Sequence, residues 1–105
     1  MITGPMGLTT EALGTIPAID PARLDEVLAA DAFGKFAVLS GAPDDYLQAG
    51  NVWTPDATGD PWVLEYREDG HHHRADGVLT LERVREAFRS YLTGGSEWRT
   101  GFTWS

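Results

Sequence analysis

Apolar and polar residues alternate most clearly from Trp62 to Arg67, where Trp62, Leu64 and Tyr66 interleave with Val63, Glu65 and Arg67. Period two is the mark of a half-buried strand. Asp69-Gly70 follows, a dipeptide favoured in tight turns because both residues tolerate positive φ. Residues 71–76 can then return as the partner strand. Counting from the turn pairs Glu68 with His71, Arg67 with His72, Tyr66 with His73, Glu65 with Arg74 and Leu64 with Ala75. This register puts Trp62, Leu64, Tyr66, His73 and Ala75 on one face. It sets Glu65 against Arg74 on the other as a cross-strand ion pair, worth about 0.2–1 kcal/mol.

The period then changes. Leu81, Val84, Phe88, Tyr91 and Leu92 recur at the spacing of a core-facing helix. Glu82, Arg83, Arg85, Glu86 and Arg89 take the solvent side, with Glu82–Arg85 and Glu86–Arg89 suitably spaced to attract. Thr80 opens this helix and Gly94-Gly95 stops it. Earlier, Asp20-Pro21 is a strong helix start, and Leu24, Val27 and Leu28 share a face. Phe36 to Leu39 reads as a central strand and Tyr46 to Val52 as its return. Residues 53–61 hold most of the mid-chain turn signals and read as an exposed loop.

These elements predict an α+β domain, an antiparallel sheet of four to five strands with two helices packed on it. The strands are 35–40, 46–52, 61–68 and 71–76, with 101–104 as a candidate fifth. Helices 21–31 and 81–92 pack on the face that carries Trp62, Leu64 and Tyr66. Residues 1–18, with Gly4, Pro5, Gly7, Gly14 and Pro17 and no sustained period, read as a flexible N-terminal arm. Residues 19–105 form the single domain, and 105 residues leave room for one core.

Charge narrows the partners. Sixteen acidic residues against eight basic ones give a net charge of −8. Phosphate binding needs clustered Lys and Arg, so a direct nucleic-acid partner is not expected. A basic protein partner, steered in by the acidic surface, suits the sign. There is no cysteine, which removes disulfides, thiol catalysis and thiolate metal sites. No apolar run approaches a signal peptide or a membrane span. The expectation is a cytoplasmic protein without a membrane partner.

Candidate chemistry is sparse. Strand alternation places His71 and His73 on one face, about 7 Å apart from the rise per residue. Structural zinc takes four protein ligands and catalytic zinc usually three. No second His or Cys cluster completes such a set, so neither metal nor cofactor is assigned. No Gly-x-Ser-x-Gly elbow occurs, and paired carboxylates such as Asp44-Asp45 and Glu68-Asp69 read as solvated loop residues. No catalytic residue is assigned, and the chain is not expected to be an enzyme. Recognition is the remaining role. Trp53 stands among Thr54, Pro55, Asp56, Thr58 and Asp60, and an aromatic among acids can anchor a basic partner. The predicted partner-binding residues are Trp53, Asp56 and Asp60, extended by Asp44 and Asp45 if the two loops share one end of the sheet.

The segment from Val78-Leu79-Thr80-Leu81 through Tyr91-Leu92-Thr93-Gly94-Gly95, with Trp98 and then Phe102-Thr103-Trp104, resembles the C-terminal signature of small bacterial immunity proteins of polymorphic toxin systems. It is also similar to actinobacterial proteins of about this length. In the immunity families a hairpin leads into a helix ending aromatic-Leu-x-x-Gly, and a short strand closes on Trp. The likeness covers roughly residues 60–104, and Trp98-Arg99-Thr100 stands where that pattern carries Arg-Pro. It implies an immunity or antitoxin-like binding protein that neutralises a basic protein partner such as a toxin. Composition equally permits a structural or regulatory accessory domain. A third reading is a small metal-binding protein or enzyme using His71 and His73.

Overall fold

The computed structural model of the chain describes residues 6–29, 33–42, 45–51, 62–68, 70–77 and 79–105. Six strands form one antiparallel sheet: β1 (Gly7–Thr10), β2 (Gly14–Ile16), β3 (Phe36–Ala42), β4 (Asp45–Asn51), β5 (Trp62–Glu68) and β6 (His71–Arg74). Their order across the sheet is β2-β1-β3-β4-β5-β6. The described residues also form three helices: α1 (Pro21–Leu28), α2 (Leu81–Leu92) and α3 (Glu97–Thr100). The expectation of four to five strands and two helices is therefore corrected to six and three among the described residues.

The two additional strands fall inside residues 1–18. They are only four and three residues long, too short to show a period, and their inward positions include a threonine. Thr10 is buried among apolar residues. Its Oγ1 accepts the Leu13 N–H at 2.9 Å, which offsets the cost of burying a hydroxyl. Gly14, at φ +67°, turns the chain back in a conformation that a side chain would strain. β1 then pairs with both β2 and β3, and the chain crosses over it through α1. The third helix, α3, is a single turn that periodicity cannot detect.

The tail is another correction. Residues 101–104 do not form a strand, but they return to the sheet edge all the same. Trp104 bridges Ala75, and Arg74 and Ser105 exchange both backbone hydrogen bonds, at 3.2 and 2.9 Å.

The hairpin register is the one counted from Asp69-Gly70: Glu68 opposes His71, Arg67 His72, Tyr66 His73 and Glu65 Arg74. The Ala75 N–H donates to the Leu64 carbonyl at 2.9 Å, which extends it. The expected Glu65–Arg74 ion pair does not form. Glu65 Oε2 instead accepts from Gln48 Nε2 at 2.9 Å and meets His72 Nε2 at 3.1 Å. Gln48 lies directly opposite Glu65 on the other flanking strand, a position no single-hairpin count can include.

One sheet face carries the core. A row runs Leu8, Leu39, Leu47, Tyr66 and His73, and a second runs Thr10, Ala37, Ala49 and Leu64. Leu24, Val27 and Leu28 of α1 and Val84, Ala87 and Phe88 of α2 join the same cluster. Helices gathered on one face of an antiparallel sheet are the usual α+β arrangement. Asp20 and Thr80 cap the two helices by accepting the Arg23 and Arg83 N–H groups, at 2.7 and 3.3 Å. Where the sequence reading ran the first helix to residue 31, α1 closes at Leu28 with Ala29 as its cap. Phe33 stacks on Trp62 at 5.2 Å and is as fully buried as the strand leucines. Among the described residues no helix is long and apolar enough to cross a membrane.

Candidate functional site

The sheet end where β4 begins and β5 finishes is also where α1 starts and α2 stops. A cleft of about 730 Å³ opens between them, within the size range of small-molecule and side-chain sites. Asp45 enters it from the start of β4, Glu68 from the end of β5, and Asp20 from the cap of α1. Met6, Ile19, Leu92 and Trp98 supply apolar wall, and Tyr91 stands among them.

Local sequence explains each position. The register of β3 and β4 shifts between Ser40 and Ala42, and the Ser40 hydroxyl donates to the Asp45 carbonyl at 3.0 Å. This holds the head of β4 beside the cleft. α2 ends by its glycine pair: the Gly95 N–H donates to Ser90 O at 2.8 Å and the Gly94 N–H to Tyr91 O at 3.4 Å. Gly94 has φ +80°. These two bonds are the Schellman closure, and the turn they close forms part of the cleft wall. The Ser90 hydroxyl is occupied structurally, donating to Glu97 at 3.0 Å and accepting the Trp98 N–H at 3.2 Å.

The electrostatics are lopsided. The described lining contains three carboxylates and no Lys or Arg. Arg99 offsets one of them from outside, its Nη2 lying 2.6 Å from Glu68 Oε1. The same guanidinium sits over the Trp98 ring at 5.0 Å and over Tyr66 at 5.4 Å. The bond to Glu68 is the main reason its pKa is raised. Burial, then the charges of Asp45 and Glu68, push the Tyr91 hydroxyl up to about 12. Tyr91 is accordingly neutral across the physiological range, and its ring edge meets Trp98 at 5.0 Å.

Of the predicted partner-binding residues, Asp45 lies in this cleft. Trp53, Asp56, Asp60 and Asp44 lie outside the described residues. β4 runs from Asp45 to Asn51, and Asn51 pairs with Trp62. The strand termini flanking 52–61 are therefore about 20 Å from Asp45 at the usual rise per residue. The sequence reading did not single out Asp20 or Tyr91 as site residues and took Glu68 for a hairpin-end carboxylate. Each also had a sufficient local role, as cap, strand end or helix stripe. Their meeting is a product of tertiary structure.

The histidines behave as strand residues. His73 stacks on Tyr66 at 4.7 Å, His72 meets Glu65, and His71 is exposed. Among the described residues no group of three or more His, Cys, Asp or Glu side chains is placed to hold a metal ion. No protein-family model, curated protein or solved structure matches the chain. The immunity-protein resemblance thus rests on the residues quoted for it.

Proposed function

We propose that the chain is a non-catalytic, cytoplasmic binding protein of the immunity or antitoxin kind, which occludes a basic protein partner. The observation that carries this reading is the cleft at the sheet end, where Asp20, Asp45 and Glu68 converge on apolar wall with no basic residue in the described lining. The net charge of −8 supports it by attracting a partner of opposite sign from a distance. Asp45 is common to this cleft and to the surface expected from sequence. Convergent polar groups on an apolar floor are also what a binding site requires.

The test is co-expression with the protein encoded beside this one. A stable complex and rescue from that protein's toxicity are the expected results. Association should slow as salt rises from about 0.01 to 0.15 M, because the Debye length contracts from about 30 to 8 Å. Asp45→Lys should abolish rescue while leaving the far-UV circular dichroism unchanged. Absence of both complex and rescue with any encoded toxin removes the proposal.

A further inference from the structure

We infer that the sheet face turned away from the helices carries a site for a single phosphate group, built on Arg67 and Arg74. Leu64 and Tyr66 of β5 and His73 of β6 lie on the core side, so Glu65, Arg67, His72 and Arg74 stand on the opposite face. The register sets Arg67 directly against His72 and Arg74 directly against Glu65. The two arginines are therefore diagonal neighbours on adjacent strands, about 7–8 Å apart. Tyr46 flanks Arg67 from β4 on the same face.

The commitments of the other basic residues set this pair apart. Of the eight in the chain, Arg23, Arg89 and Arg99 are in ion pairs with Glu26, Asp25 and Glu68, at 3.1, 2.9 and 2.6 Å. Arg83 donates to the Gly101 carbonyl at 2.9 Å and lies over the Phe102 ring. Arg67 and Arg74 make no ion pair and no side-chain hydrogen bond among the described residues. Glu65 shares their face, yet its carboxylate is taken by Gln48 at 2.9 Å and His72 at 3.1 Å. A second observation concerns Arg67 itself: its Nε is shut off from solvent and has no acceptor. A guanidinium does not shed its charge, and a desolvated charged donor without an acceptor is costly. An oxyanion seated on the guanidinium supplies what is missing, and exposed Arg74 leaves the approach open.

The pair also selects the anion. A phosphate monoester brings three acceptor oxygens and a charge of about −1.5 to −2, enough to serve two guanidinium forks, whereas a carboxylate fills one. A polyanion is disfavoured, because the net charge of −8 repels a long phosphate chain and two arginines neutralise little of it. The ligand class is thus one compact phosphate group, on a small molecule or on a phosphorylated side chain. The site stands on the opposite side of the sheet from the helices and is independent of the binding role proposed for the cleft.

The experiment is an NMR titration of the full chain at constant ionic strength, following the Arg67 Nε–H signal and the backbone amides of Arg67, His72 and Arg74. The probes are glycerol phosphate, acetyl-phosphoserine-amide, acetate and a short oligothymidylate. Both phosphate monoesters should shift these signals saturably, with dissociation constants on the order of millimolar. Acetate should bind at least about fivefold more weakly. Arg74→Gln, at an exposed position, should weaken the monoesters at least about fivefold with the spectrum otherwise preserved. Arg67→Lys keeps the charge but loses the fork and should weaken them several-fold. Arg85→Gln removes another arginine whose Nε lacks an acceptor, on α2, and should change nothing.

Absence of a saturable response to either monoester overturns the site. So does equal affinity for acetate and the monoesters, or monoester binding unchanged by both Arg74→Gln and Arg67→Lys. Oligothymidylate binding more tightly than the monoesters assigns the face to nucleic acid and also overturns it. Acetyl-phosphoserine-amide binding more than tenfold tighter than glycerol phosphate supports the site and identifies a phosphorylated protein as the source. The reverse preference supports it with a small molecule as the source, and near-equal affinities support a site that reads the phosphate group alone.

Discussion

Trp104→Ala tests whether the C-terminal tail belongs to the cooperative fold. The indole packs edge-on against Tyr66 at 4.6 Å, with Phe102 at 5.7 Å and Trp98 at 6.4 Å. Its Nε1 donates to the Arg99 carbonyl at 2.8 Å, and its backbone bridges Ala75. An aromatic pair contributes about 0.5–1.5 kcal/mol beyond burial, and a hydrogen bond about 1 kcal/mol net. The three ring contacts share atoms and do not add fully, and the side chain is only partly buried. The expected loss is about 2–4 kcal/mol, below the ceiling for a fully buried Trp. Trp104→Phe keeps most ring contacts and loses the donor, so it should cost about 1 kcal/mol. Urea unfolding followed by far-UV circular dichroism gives both values, with a midpoint shift of about 1–3 M for the alanine variant. A loss below about 0.5 kcal/mol for Trp104→Ala would refute the reasoning, because it would mean the tail frays before the domain unfolds.

Further expectations follow from the same packing. Leu64→Ala and Phe88→Ala remove side chains with no exposed surface and should each cost about 2–5 kcal/mol in chemical denaturation; losses under half a unit at both would contradict the shared core. Trp62→Phe should stay within about 1 kcal/mol of wild type despite complete burial, because the Trp62 Nε1 has no partner among the described residues and removing an unpaired donor offsets the lost contacts. A cost above about 3 kcal/mol would show that the donor is paired. The Tyr91 pKa lies at about 12 in the folded chain against about 10 when unfolded. Its stabilising contribution is therefore complete below pH 10 and declines from there through pH 12. Absorbance at 295 nm, compared with Tyr91→Phe, should place the missing transition near pH 12. The tyrosine form should also lose stability faster than the phenylalanine form between pH 10 and 12.

Legibility from sequence followed the range of the interactions. The β5–β6 register was readable because Trp62, Leu64 and Tyr66 alternate without a break and the turn dipeptide counts the pairs. α2 was readable because its stripe runs over three turns between Thr80 and Gly94. β1 and β2 were not, since four and three residues with Gly7, Thr10 and Gly14 among them resemble a loop until β3 is beside them. Glu65 shows the same limit inside a correctly predicted strand. Its register against Arg74 was right, yet its carboxylate went to Gln48 and His72, because β4 supplies a competitor from the other side. In the cleft, Asp45 was legible as an acidic loop residue near a strand start. Asp20, Glu68 and Tyr91 were visible only in their local roles, separated along the chain by turns whose lengths say nothing of which end of the sheet they reach.

The cleft is a consequence of where the elements stop. Gly94 and Gly95 end α2 by satisfying its own carbonyls, and α1 begins at a capping aspartate instead of a packed apolar turn. Both helices therefore present polar ends at the sheet edge where β4 begins and β5 finishes. Filling that space with apolar side chains would strip solvent from the Asp20 cap and from the Glu68–Arg99 pair, and desolvating such charges is costly even when they are paired. The open cleft keeps them hydrated in the free protein. A cation from a partner would bring compensating charge as it displaces the water, so the desolvation penalty falls due only when the means to offset it arrives. Under the proposed binding role, acids at this end suit an open, hydrated cleft in the free domain and a cationic group from the partner when it is covered.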